Sequence, residues 1–225
     1  MIVTTEVEGL CRDKLLLIYN METIKAIAEL RKEKKRKFDQ SVDLIINLKS
    51  FDVRREALNT FVFVPHGIDK KFAAFFAKRT SLLDTITEED YVKYKELKDI
   101  KKLAKKYDMF LAAAPLMGKV ATKFGRVFGP INKMPSPLAG IVPKEDDEMI
   151  EKMLDKMRKA VRVKNKEMSI KVRVGKESMS DADLADNVDA AIKELTKKLP
   201  KGVDNVKDVL VKFTMTKTVV VKERK

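Results

Sequence analysis

Two kinds of strand are written into this chain, and they need different surroundings. MSIKVRV (168–174) alternates, with Ile170, Val172 and Val174 on one side and Lys171 and Arg173 on the other. A period of two describes an antiparallel strand with one covered face and one wet face. By contrast, VDLIINL (42–48), NTFVFVP (59–65), KFAAFFA (71–77) and MFLAAA (109–114) read as nearly continuous apolar runs. Such runs fit strands covered on both faces, as in a parallel sheet.

Helical spacing separates these strands. Ile24, Ile27 and Leu30 recur at helix period within residues 21–37. Residues 87–107 place Val92, Leu97, Ile100 and Leu103 on one face, with Thr87 and Asp90 spaced as a capping box. Residues 145–161 carry a stripe of Met149, Ile150, Met153, Leu154 and Met157, read as a core-facing helix. Its leading acids suit the positive end of the helix dipole. Residues 181–199 predict a helix capped by Ser180 and stopped by Pro200 and Gly202. VKDVLVKF (206–213) and TVVVK (218–222) close the chain as strands. The centre therefore reads as α/β, and both ends read as antiparallel strands with helices, an α+β pattern. The simplest assembly joins residues 1–66 and 160–225 into one discontinuous domain and inserts 67–159 as a second.

Charge narrows the partners. The 225 residues hold 48 Lys+Arg against 34 Asp+Glu, a net of +14, which favours a polyanion, nucleic acid before membrane. Residues 158–225 are the most basic part, with 18 bases and 10 acids. No apolar run reaches membrane-spanning length, so no membrane partner is expected. A single cysteine, Cys11, excludes an internal disulfide and fits a reducing cytosol. A single histidine, His66, leaves too little for a zinc centre or a Ser/His/acid triad, and the chain has no G-x-S-x-G and no phosphate-binding glycine loop. No catalytic residue, metal or cofactor is expected.

Residues 109–144 contain no acid. They carry Lys119, Lys123, Arg126, Lys133 and Lys144, with five of the seven prolines and four of the eight glycines. This composition predicts a rigid basic loop, a second surface for a polyanion.

Within that segment Gly125-Arg126-Val127-Phe128-Gly129-Pro130, followed by Lys133-Met134-Pro135-Ser136-Pro137, resembles the signature of the ribosomal protein L-one family, the proteins of the mobile side stalk of the large subunit. RKFDQSVDLIINLK (36–49), FVPHGIDK (63–70), LADNVDAAI (184–192) and FTM (213–215) are similar to further segments of that family, in order. The version with K-M-P looks archaeal or eukaryotic. The fold this implies is a discontinuous α+β domain of split βαβ type, with an inserted Rossmann-like, three-layer α/β domain. The resemblance implies that the first domain binds large-subunit rRNA, with Lys37, Phe38, Thr214, Met215 and Thr216 as main contacts and Lys164 and Lys166 as a third element. It implies a cytoplasmic, ribosome-bound protein, monomeric when free. It also implies that the inserted domain acts near the exit site in release of deacylated tRNA, and that the protein represses its own mRNA. Lys119, Lys123, Arg126 and Lys133 form the secondary basic surface. Thr216 stands where the family usually has glycine. Residues 1–20 have no counterpart and are either an extension or precede a true start at Met21. Two alternatives stay open: an RNA-modifying enzyme using the α/β domain, and an mRNA-binding regulator apart from the ribosome.

Overall fold

The structure is a computed structural model and describes residues 23–223 except 34, 35, 54, 57, 95, 138, 139, 144, 145 and 166. Residues 1–20, Lys144 and Lys166, on which sequence expectations fell, lie outside the described residues. The chain runs through helix α1 (23–32), β1 (Ser41–Leu48), β2 (Asn59–Phe63), β3 (Phe72–Phe75), β4 (Asp84–Ile86), α2 (Leu97–Lys106) and β5 (Met109–Ala113). It continues through α3 (Met117–Ile131), β6 (Ile141–Val142), α4 (Asp147–Lys159), β7 (Ala160–Lys164), β8 (Ser169–Lys176), α5 (Asp181–Lys198), β9 (Val206–Phe213) and β10 (Val219–Glu223). These elements form two compact units, one from residues up to Ile68 and from Lys159 onward, the other Asp69–Arg158.

In the discontinuous unit, β10-β9-β1-β8 form an antiparallel sheet. Here the structure corrects the reading of VDLIINL as a strand covered on both faces. Val42, Leu44, Ile46 and Leu48 are buried while Asp43, Ile45 and Asn47 are half-exposed. Ile45 masks the alternation that Asp43 and Asn47 carry. Strand β2 is likewise antiparallel, paired with β7. The buried face packs into one core with Ala26, Ile27 and Leu30 of α1 and Leu184, Val188, Ala191 and Leu195 of α5. Ser180 caps α5 as expected, its hydroxyl accepting from Asp183 N at 3.2 Å. His66 lies against α5: its backbone N–H donates to Asn187 Oδ1 at 2.9 Å, and Asn187 Nδ2 donates back to its carbonyl at 3.1 Å.

Gly175 in β8 is required by space. A Cβ there would stand 2.4 Å from Leu184 Cδ2 and 3.1 Å from Met179 Sδ, and Leu184 is fully buried. Gly175→Ala should lower the unfolding free energy by about 1–3 kcal/mol, the usual cost of overpacking, read by urea titration. An unchanged midpoint would show that Leu184 has room to turn aside.

Asp189 of α5 accepts from Thr23 Oγ1 at 3.2 Å, while its other carboxylate oxygen is buried with no hydrogen bond. Burial pushes its pKa up to about 6, with Asp186 adding to the rise and the Thr23 bond opposing it. A carboxyl whose folded pKa exceeds its unfolded value binds its proton more tightly when folded, so its charged form costs stability as pH rises through that range. Between about pH 4 and 7 the wild type should lose about 1 kcal/mol that Asp189→Asn retains, after discounting for partial exposure. Parallel stability–pH curves for the two proteins would refute this.

In the inserted unit, β4-β3-β5-β6 form an entirely parallel sheet. Phe75 and Phe110 face a core shared with Ile100 and Leu103 of α2 and Val120, Phe124, Val127 and Phe128 of α3. Ala74, Phe76 and Leu111, alternate in sequence, are buried as well. The single helix expected over 87–107 is broken: Glu89–Lys93 forms a 3-10 turn, and α2 begins only at Leu97. Thr87 and Asp90 do meet, Thr87 Oγ1 donating to Asp90 Oδ2 at 3.0 Å, but they close the 3-10 turn. The bonds from Lys93 and Thr87 lower the Asp90 pKa to about 2.

The largest correction concerns the acid-free segment. Met117–Ile131 is a helix, not a loop. Three internal glycines, Gly118, Gly125 and Gly129, oppose it at about 1 kcal/mol each relative to alanine. Burial of Val120, Phe124, Val127 and Phe128 opposes them with about 1.5–3 kcal/mol per side chain, and it wins. Asn132 ends the helix at φ 59°, its N–H bonded to Gly129 O and Lys133 N–H to Phe128 O, a Schellman closure.

Candidate nucleic-acid interface

The interface is built at one end of the four-stranded sheet of the discontinuous unit, where β1 begins and β8 and β9 end. Val42 pairs with Phe213 and Ser41 with Lys176, so the segment before β1 meets the turns after β8 and β9. Thr214 N donates to Ser41 O at 3.1 Å, and Ser41 N donates to Thr214 Oγ1 at 3.1 Å. Asp39 accepts from the Ser178 N–H and hydroxyl, both at 3.1 Å. Arg31 of α1 also holds this turn, donating to Asp181 Oδ1 at 2.5 Å and Met179 O at 2.7 Å. Two residues from Gln40 the chain releases Phe38, and Met215 stands at the tip of the opposing turn. They are 52% and 58% exposed, which removes the reading of either as core.

Lys37 is exposed beside Phe38, and Lys217 is exposed after the turn. Thr216 does not occupy glycine's conformation: Ser50 and Asn132 are the non-glycine residues with positive φ among those described. Its hydroxyl accepts from Phe213 N at 2.9 Å and closes the turn, so threonine substitutes a side-chain clasp for glycine's freedom. Further along the open face, Asp43 is flanked by Arg173 and Lys212 on the neighbouring strands. Burial raises its pKa, and the two cations pull it down.

Lys37, Phe38, Thr214, Met215 and Thr216 are thus brought together. Lys164 is not. It ends β7, whose following turn leads to Ser169 opposite Asn47, at the far end of β1. Six residues of strand place that turn about 20 Å from the first cluster. The same turn presents Met168, 51% exposed, which sequence reasoning passed over. Its signal was a lone methionine in the polar stretch KNKEMS. Asp39, Gln40, Glu177 and Ser178 were also missed, since their partners are more than a hundred residues away.

The cations of the inserted unit are partly committed to it. Lys119 pairs with both Glu88 carboxylate oxygens at 2.8 Å. Lys123 donates to Tyr91 O, and Lys133 donates to Ala104 O and Tyr107 O at 2.7 Å, closing the end of α2. Arg126 stands exposed on α3. Among the described residues no group of three His, Cys, Asp or Glu side chains is placed to hold a metal ion, and no helix is long and apolar enough to cross a membrane.

The chain is thus of the class in which a split antiparallel α+β unit accommodates an inserted parallel α/β unit. Residues 30–217 match the Ribosomal protein L1p/L10e family. The large ribosomal subunit protein uL1 of Nanoarchaeum equitans is 34% identical over 207 residues, covering 87% of this chain and 97% of that one. Those of Pyrococcus horikoshii and Thermococcus kodakarensis are each 36% identical, covering 85% of this chain and 91% and 93% of theirs. The chain belongs to the ribosomal protein L1 family, a structural and non-enzymatic one, and its archaeal relatives agree with the archaeal or eukaryotic resemblance of K-M-P.

Proposed function

We propose that this chain is a cytoplasmic, ribosome-bound structural protein of the large subunit that binds large-subunit rRNA through the discontinuous unit. The observation that carries the reading is that Phe38 and Met215 are both exposed, on segments joined by the hydrogen bond from Met215 N to Gln40 Oε1, with Lys37 exposed next to Phe38. Flat apolar groups stack on bases, threonine hydroxyls and backbone groups meet 2′-hydroxyls, and lysines neutralise phosphates. The turn at Lys164 is a second, separate contact about 20 Å away, long enough to span several nucleotides. Lys166 belongs with it by sequence.

The inserted unit supplies the second basic surface, with Arg126 and Lys119 exposed on α3 and Lys119 ion-paired with Glu88. Two covalent crossings join it to the rest of the chain, a connection that permits hinge motion. On this reading it follows the stalk near the exit site and takes part in release of deacylated tRNA. The rRNA site also serves a similar structure in the protein's own mRNA, repressing its translation. The free protein is monomeric.

Titration of the full chain with a large-subunit rRNA fragment tests the proposal. Affinity should exceed that for unrelated RNA, and should fall about 10²–10³-fold between about 50 and 200 mM salt if about four to five phosphates are neutralised. Equal affinity for both RNAs would sink the assignment. Sedimentation of the native protein with large subunits separates a ribosomal role from a regulator of mRNA alone.

A further inference from the structure

We infer that Gln40 is a positioning residue for RNA recognition, setting Met215 through its side-chain amide, with Glu177 setting the amide in turn. The inference rests on the reading of Phe38 and Met215 as RNA contacts. Gln40 is 1% exposed, although it lies two residues from exposed Phe38. Its Oε1 accepts from Met215 N at 3.1 Å, and its Nε2 donates to Glu177 Oε2 at 3.1 Å. Its carbonyl accepts from Glu177 N at 2.7 Å. The side-chain bonds therefore leave the sheet ladder and tie together the turns after β8 and β9.

The partners dictate which way the amide points. A backbone N–H can only donate, and a carboxylate can only accept. Reversing the amide would set NH₂ against N–H and oxygen against carboxylate, two repulsions in a site closed to water. Glu177 therefore locks Oε1 toward Met215. Thr214 is fixed independently through Ser41, and the Thr216 hydroxyl clasps Phe213, so Gln40 holds the residue between them. This also accounts for an acidic residue beside a surface meant for a polyanion. Glu177 is kept for the orientation it imposes.

Electrostatics and positioning predict opposite signs at Glu177. Removing a negative charge should strengthen RNA binding if only charge matters. Positioning predicts that Glu177→Ala weakens binding to the rRNA fragment several-fold, while Glu177→Gln, which keeps an acceptor, binds at least as tightly as wild type. Gln40→Ala should weaken fragment binding about ten-fold, the equivalent of one well-placed hydrogen bond, with affinity for unrelated RNA and the salt slope unchanged. Gln40→Glu sets two carboxylates against each other and should also bind poorly. Adding Glu177→Gln to it rebuilds both bonds, because the carboxylate introduced in β1's approach would accept from Met215 N and from the amide introduced opposite it. That double variant should recover to within about three-fold of wild type.

Full-length proteins are compared by fragment titration, with melting temperature measured in parallel and amide exchange read at Met215. Tight fragment binding by Gln40→Ala overturns the inference, as does failure of the double variant to improve on Gln40→Glu. If Gln40→Ala does not fold, the double variant decides alone. Should wild type bind the fragment no better than unrelated RNA, the RNA reading itself fails. Exchange at Met215 then still judges the clamp: faster exchange in Gln40→Ala retains it, and unchanged exchange removes it.

Discussion

Phe128→Ala should cost the inserted unit about 3–5 kcal/mol, the usual penalty for emptying a buried aromatic site. Phe128 is fully buried on α3. Its ring stacks on Phe110 with centroids 4.5 Å apart and an interplanar angle of 26°, and lies 5.5 Å from Phe124 and 6.2 Å from Phe75. Alanine removes the ring from all three neighbours, and β5, which carries Phe110, cannot close the gap without breaking its pairing with β3. A domain has only about 5–15 kcal/mol in reserve, so the loss is a large share of the unit's stability. Calorimetry should resolve a lowered transition for this unit. Fragment binding by the discontinuous unit should stay within a few-fold of wild type. A cost below about 1 kcal/mol would show that the aromatic stack is not what keeps the glycine-rich helix folded.

Alanine at Phe38 or at Met215 should weaken binding to the rRNA fragment by about 1–3 kcal/mol each, the range for a side chain that stacks on a base. Neither change should move the melting temperature appreciably, because both side chains are more than half exposed and little packing is lost. If the two residues meet the same nucleotide, the double variant will lose less than the sum. The salt slope should be unchanged by either, since no phosphate contact is removed. Lys37→Ala, by contrast, should reduce the slope by about one. A lower melting temperature with unaltered affinity would return Phe38 and Met215 to a packing role.

Much of the candidate site was legible, but as separate pieces. Lys37-Phe38 and Thr214-Met215-Thr216 stood out in the sequence through a family resemblance, not through any local pattern. What joins them is the pairing of Val42 with Phe213, across a separation that no local pattern encodes. The polar residues that hold the loops were invisible for the same reason. Gln40 reads as an ordinary loop residue until Met215 and Glu177 are brought to it. Strand β7 was missed although AVRVK alternates, because it continues directly from α4 and its first two residues, Ala160 and Val161, read as the end of that helix.

The sequence by itself determined what short-range chemistry controls. Ser180 starts α5, and the alternation of Ile170, Val172 and Val174 makes β8 a half-covered strand. The composition also separated an α/β centre from α+β ends. The tertiary structure alone decided three things: that β1 lies between β8 and β9 with one face covered, that the acid-free segment is a helix, and that its lysines are partly consumed inside the unit. Each depends on partners distant in the chain. A strand's neighbours and its covered face are settled by the sheet it joins, and the helix preference of residues 117–131 is too weak to survive three glycines alone. It is settled by burying Phe124 and Phe128 against Phe75 and Phe110, a contribution that exists only once the sheet has formed.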